Sequence, residues 1–270
     1  MTNDSFIYSF KVIGLERKQI ASTMAEALGE EVKYLGPPTF AYLIGGWRID
    51  RSGVITSHEI EDNEILGTVL NALKTAEATA EGGGTVKLSL QGSNGNSLRN
   101  IANLIWCKQK LIQKALGRES DIVPDGLIEA INTVPIDSLD EFAEVVNTAI
   151  DTGKILGESE LEFDMADKTI SFSFSNASLD FDEVVAFITL CQQLNEQGKK
   201  QKFSSIKRKE SLNESYSFRC YLLKLGFIGE KYKTARKILI SKLDGDAVYR
   251  TIEARQAAEA KRKGTVGKLN

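Results

Sequence analysis

The chain has 270 residues, 42% of them hydrophobic and 26% charged, with a formal net charge of −3. That balance is ordinary for a soluble globular protein and is long enough to bury a core without staples. No run of about 18 apolar residues occurs, which excludes a membrane-spanning helix. Cys107, Cys191 and Cys220 lie far apart and form no CxxC pair. With no basic-then-apolar leader in MTNDSFIYSF, a reducing, cytoplasmic location is expected.

Phe6 to Ile13 (FIYSFKVI) reads as a first strand, rich in aromatic and β-branched residues. Glu16 to Leu28 has helical spacing, with Gly29 at its C-cap. Glu31 to Leu35 is a short strand. Phe40 to Ile44 and Trp47 to Ile49 read as one longer strand interrupted by Gly45-Gly46. Asp50-Arg51-Ser52-Gly53 is hairpin chemistry, returning through Val54 to Thr56. Glu61 to Ala78 is a helix that Gly82-Gly83-Gly84 breaks, and Thr85 to Leu90 alternates as a half-buried strand. One long helix is expected from Ser97, its N-cap, to Leu116. Short helices follow at Asp125 to Asn132 and Leu139 to Asp151, the second capped by Asp137 or Ser138, with Glu141 completing a capping box if Ser138 is the cap. Leu161 to Met165 and Thr169 to Phe174 form a hairpin, and Asp180 to Asn195 a further helix.

A weak internal repeat is legible. Thr85 to Gln109 lies on Thr169 to Gln193 without a gap, matching Thr85, Ser89, Ala102, Cys107 and Gln109 to Thr169, Ser173, Ala186, Cys191 and Gln193. Either a strand-helix unit is duplicated, or two unrelated units share the same periods. A true repeat makes Cys107 and Cys191 equivalent core positions.

Motifs for chemistry are scarce. His58 is the single histidine, and there is no zinc-ligand spacing, GxSxG, HExxH or Walker A. The expectation is a protein without enzymatic activity, cofactor or metal. The charge is unevenly placed. From Asn195 onward there are 19 Lys+Arg and 8 Asp+Glu, a net of +11, leaving −14 for the rest.

The basic part opens KKQKFSSIKRKE, with Lys199, Lys200, Lys202, Lys207, Arg208 and Lys209 around Phe203. Two helical patterns follow, about Glu214 to Leu225 and about Glu230 to Leu243, joined by a Gly-containing turn. Lys231, Lys233, Arg236 and Lys237 fall outward on the second. Basic residues interleaved with an aromatic suit phosphate contacts, and the outline is that of a helix-turn-helix. A plain structural hairpin, or a basic segment lying on the acidic body, explains the same pattern.

The stretches SLRNIANLIWCKQKLIQKALG, TISFSFSNASLDFDEVVAF and YSFRCYLLKLGFIGEKYKTARKILISKLDGD resemble a family of "virulence-related" proteins. These are carried by conjugative and phage-like mobile elements of Gram-positive gut bacteria. The resemblance assigns no residue a role. It implies nucleic-acid handling, regulation, or interference with host defence by binding.

The fold expected is α+β: small, mostly antiparallel sheets with packed helices and a C-terminal helical hairpin. Residues 1–197 would form an acidic body, 198–250 the basic hairpin and 251–270 a solvated or disordered tail. The function expected is a nucleic-acid-binding accessory protein of a mobile element, with DNA or RNA as partner. The alternative is an inhibitor of a host defence nuclease, presenting its acidic surface in imitation of nucleic acid.

Overall fold

The computed structural model describes residues 5–155, 159–176, 178–209, 211–251 and 256. Most of the expected tail therefore lies outside the described residues. The chain is α+β. In order it runs β1 (Phe6–Ile13), α1 (Arg17–Leu28), β2 (Val32–Tyr34), β3 (Tyr42–Ile44), β4 (Trp47–Ile49) and β5 (Val54–Thr56). Next come α2 (Asn63–Thr75), β6 (Thr79–Ser89), α3 (Gly95–Trp106), α4 (Gln109–Leu116), α5 (Asp125–Thr133) and α6 (Leu139–Asp151). The hairpin β7 (Leu161–Asp164) and β8 (Thr169–Phe172) leads into α7 (Phe181–Lys200), α8 (Glu214–Leu225) and α9 (Lys233–Ile240).

The strands form one eight-stranded sheet, in the order β2-β3-β4-β5-β1-β6-β8-β7, with every pair antiparallel. Separate small sheets were expected; β1 joins them, pairing with β5 on one side and β6 on the other. Alternation in β1 sends Phe6, Tyr8, Phe10 and Val12 into the core, with Ile7, Ser9 and Lys11 on the opposite face. That opposite face is polar. Ser9 Oγ donates to Thr56 Oγ1 at 3.1 Å, and Lys11 pairs with Glu81 at 2.7 Å.

Two glycine sites depart from the sequence expectation. Gly45-Gly46 does not interrupt a strand; it is the turn of the β3-β4 hairpin, with Ile44 opposite Trp47 and Gly45 at φ +53°. Gly82-Gly83-Gly84 does not end anything either, since β6 runs through it. At Gly84 the ring of Tyr8 lies where a side chain would be. A Cβ there would stand 2.9 Å from Tyr8 Cε2 and Cζ, closer than carbon atoms pack. The aromatic side chain thus covers the bare backbone of its neighbour strand. Gly84→Ala is expected to lower stability by about 1 kcal/mol through this overpacking. Urea unfolding would show it as a lower midpoint with an unchanged slope.

The expected long helix after Ser97 is two helices. Lys108 leaves the helical backbone at φ −129°, and the turn delivers the buried Gln109 to the 121–123 segment. There its Oε1 accepts from Val123 N at 2.8 Å, and its Nε2 donates to Asp121 at 2.9 Å. Asn94, not Ser97, is the N-cap of α3, with Ser97 the return member of its capping box. The Ser138/Glu141 box of α6 is present. The second helix of the C-terminal hairpin is shorter than expected, a 3-10 turn at Glu230–Tyr232 followed by α9.

The two repeat candidates are neighbours. β6 pairs with β8 so that Lys87 faces Ser171, the positions a shift of 84 equates. Ser89 faces Thr169, and Thr85 bonds Ser173 at 3.0 Å, so the strand pair obeys a local twofold. The helices do not. α3 spans 12 residues and α7 spans 20. Cys191 is fully buried, which pushes its thiol well above the ordinary range, whereas Cys107 is only half-buried beyond the end of α3.

The core does not stop at the expected boundary near residue 197. That position falls inside α7, and the buried cluster continues from β1 and β6 through α7 into Phe218, Leu222, Leu225, Phe227 and Leu239. Among the described residues, no helix is long and apolar enough to cross a membrane.

Candidate nucleic-acid interface

The basic segment after α7 has little secondary structure of its own, and α3 holds it. Asn96, Asn100, Asn103 and Trp106 recur at helical spacing along one side of α3. Asn100 Nδ2 donates to the carbonyl of Gln201 at 2.7 Å and more weakly to that of Gly198 at 3.4 Å. Asn96 Nδ2 reaches the carbonyl of Lys202 at 3.1 Å, and Asn103 Nδ2 that of Ser204 at 3.2 Å. Asn103 is itself fixed by a reciprocal amide pair with Asn132, 2.9 Å in each direction. The Arg208 guanidinium then lies 3.3 Å above the Trp106 ring, and its Nε donates to the Trp106 carbonyl at 3.3 Å. Backbone that lacks its own ladder thereby finds partners in side-chain amides.

Opposite this segment stands α8. Its N-cap Asn213 accepts from Tyr216 N at 3.0 Å. The same side chain donates to the carbonyls of Asp246 and Tyr249, at 3.0 and 2.7 Å, drawing residues 246–250 alongside. Tyr221 Oη donates to the Leu104 carbonyl at 3.0 Å, and Lys108 Nζ to Ser217 Oγ at 3.1 Å, closing the floor against the α3–α4 elbow.

Between these walls lies an open cleft of about 820 Å³. Its cations are Lys108, Lys207, Lys209, Lys224 and Arg250, and hydroxyls come from Ser204, Ser205, Ser211 and Ser217. Among the described residues no carboxylate lines it. Nor, among them, does Lys207, Lys209, Lys224 or Arg250 form an ion pair. A second hollow of about 540 Å³ adjoins it around Trp106, Lys110, Arg208 and Leu212. The carboxylate there, Glu214, is engaged by Lys114 at 2.6 Å. Burial pushes the Cys107 thiol up, while the positive charges of Lys108 and Lys224 oppose that rise.

The ten residues expected to contact nucleic acid are divided by the fold. Lys207 and Lys209 line the cleft and Arg208 the adjoining hollow. Lys199 and Lys200 sit in the last turn of α7 beside Glu196, at 3.8 and 2.9 Å. Lys202 lies at a bend just past α7, with its carbonyl held by Asn96. The other four belong to the α9 side. Lys231 lies over the Tyr232 ring at 4.6 Å and Lys233 pairs with Glu230 at 3.2 Å. Arg236 closes the α8–α9 turn, donating to the carbonyls of Phe227 and Gly229 at 2.7 and 3.0 Å. Lys237 is in the last turn of α9. None of these four lines the cleft.

Lys108, Lys110, Lys224 and Arg250 join the site although they fall outside the dense basic run. The asparagine spacing on α3 is the sequence signal that could have located the segment's anchor. On the acidic side, Glu160 is half-buried. Its carboxylate is taken by Arg118 and by Ser120 Oγ. The chain matches no protein-family model and no curated protein.

Proposed function

We propose that the protein binds nucleic acid through this cleft as a non-enzymatic accessory factor. One observation carries the reading: Lys207, Lys209, Lys224 and Arg250 converge on a concave surface that holds no carboxylate among the described residues. Like charges gathered without counter-ions repel one another and gain most from a polyanion that replaces condensed salt.

The measurement is fluorescence polarisation of labelled oligonucleotides across a salt series. Each cation lost from a phosphate contact is expected to flatten the slope of log affinity against log salt by about 0.7–0.9. Replacing Lys207, Lys209, Lys224 and Arg250 together by alanine is expected to weaken binding about 10²-fold or more at moderate salt. Alanine at Lys231, Lys233 and Lys237 is the control and is expected to leave affinity nearly unchanged, because those residues lie off the cleft. An unchanged affinity in the cleft variant would overturn the proposal.

A further inference from the structure

The cleft presents more than charge. The segment that supplies Ser204, Ser205, Lys207 and Lys209 to it also carries apolar side chains in the open. Phe203 is 72% exposed, Leu212 is fully exposed, and Ile206 is also exposed. In sequence they are interspersed with Lys202, Lys207, Arg208 and Lys209. Tyr216 lines the cleft, and Trp106 lines the hollow beside it under the Arg208 guanidinium. An exposed aromatic ring beside cations offers a face on which a base can stack.

A duplex cannot use these groups. Its base faces are stacked inside, and it offers phosphates and groove edges to a protruding element. Among the described residues the cleft's cations line a hollow rather than a protruding element. On α9, the helix that a duplex reading requires, Arg236 is committed to the turn carbonyls and Lys233 to Glu230. A single strand offers both a flexible phosphate chain and open base faces. Basic grooves flanked by stacking platforms are the usual means of holding it.

We infer that the ligand of the cleft is single-stranded nucleic acid. Its phosphates lie on Lys207, Lys209 and Lys224, and bases stack on Phe203 and on the Trp106–Arg208 pair. The inference rests on the nucleic-acid reading above and adds the strandedness of the ligand.

The two tryptophans make the test specific. Trp47 is 1% exposed in the core, so ligand-dependent changes in emission report on Trp106. The full chain is titrated with oligothymidylate, oligouridylate and a DNA duplex of equal length at one salt concentration. The single strands are expected to bind about ten-fold tighter than the duplex or more, and to quench tryptophan emission. Trp106→Phe is expected to abolish the quench. Phe203→Ala, at an exposed position that leaves the fold intact, is expected to weaken the single strands several-fold and leave the duplex unchanged. Equal binding of duplex and single strand, or single-strand binding that is insensitive to Phe203→Ala and without quench, would overturn the inference and leave the nucleic-acid reading standing. Failure of all three ligands to bind would remove both.

Discussion

Replacing Asn100 by leucine is expected to lower the stability of the fold by about 2–3 kcal/mol and to weaken nucleic-acid binding without removing a single charge. Asn100 is 1% exposed, and its amide nitrogen serves the carbonyls of Gln201 and Gly198. Leucine fills nearly the same volume, so the packing of α3 against α7 changes little. The two carbonyls, however, lose their donor where water has poor access, and the desolvation cost is then uncompensated. The chain can recover part of that cost by letting the 201–204 segment move off α3 into solvent. That movement carries Lys207 and Lys209 with it and opens one wall of the cleft. Urea unfolding and polarisation binding on the same variant provide the check. The alanine variants of the cleft cations lose affinity at nearly constant stability, so Asn100→Leu should stand apart by losing both. Full stability together with unchanged affinity would show that the asparagine stripe does not build the interface.

The contrast between charge and anchor also explains what could be read from the sequence. Short-range signals were legible. The alternation of Phe6, Tyr8, Phe10 and Val12 gives β1, and the Ser138/Glu141 pair gives the start of α6. The end of α8 follows from Gly226. What failed depended on a partner distant in sequence. Gly82-Gly83-Gly84 looks like a breaker until Tyr8 is laid over it from the neighbouring strand. The split between α3 and α4 serves Gln109, whose partner Val123 is 14 residues away. The site behaves in the same way. Lys207, Arg208 and Lys209 were visible as a run, but Arg236 resembles them in sequence and is spent on two backbone carbonyls. Lys224 and Arg250 were hidden because only the Asn213 amide and the face of α8 bring them to the cleft. Charge density marks candidates; the hydrogen bonds that each long side chain is offered decide which remain available.

Phe227→Ala is expected to cost the whole chain about 3–5 kcal/mol, and to do so in one transition. Phe227 lies in the turn between α8 and α9 and is fully buried. Its ring packs 5.3 Å from that of Tyr232, and Gln193 on α7 donates to the Tyr232 hydroxyl at 3.2 Å. Its carbonyl is one of the two that Arg236 holds. Truncation leaves a cavity at the point where the hairpin meets α7, and the rest of the contact can close over it only in part. Because α7 also packs on α3, α2 and β6, strain at this point is shared with the sheet. A hairpin that formed a separate domain would instead melt first, leaving the sheet intact. Two probes separate the cases. Far-ultraviolet circular dichroism reports the helices, and in a Trp106→Phe background the remaining emission comes from Trp47, on the far side of β1 from the hairpin's support. Coincident curves, both shifted to lower urea, are the expected result. If Trp47 emission holds its midpoint while ellipticity is lost early, the hairpin is an independent unit, and the cleft would be a mobile joint between two bodies rather than a preformed groove.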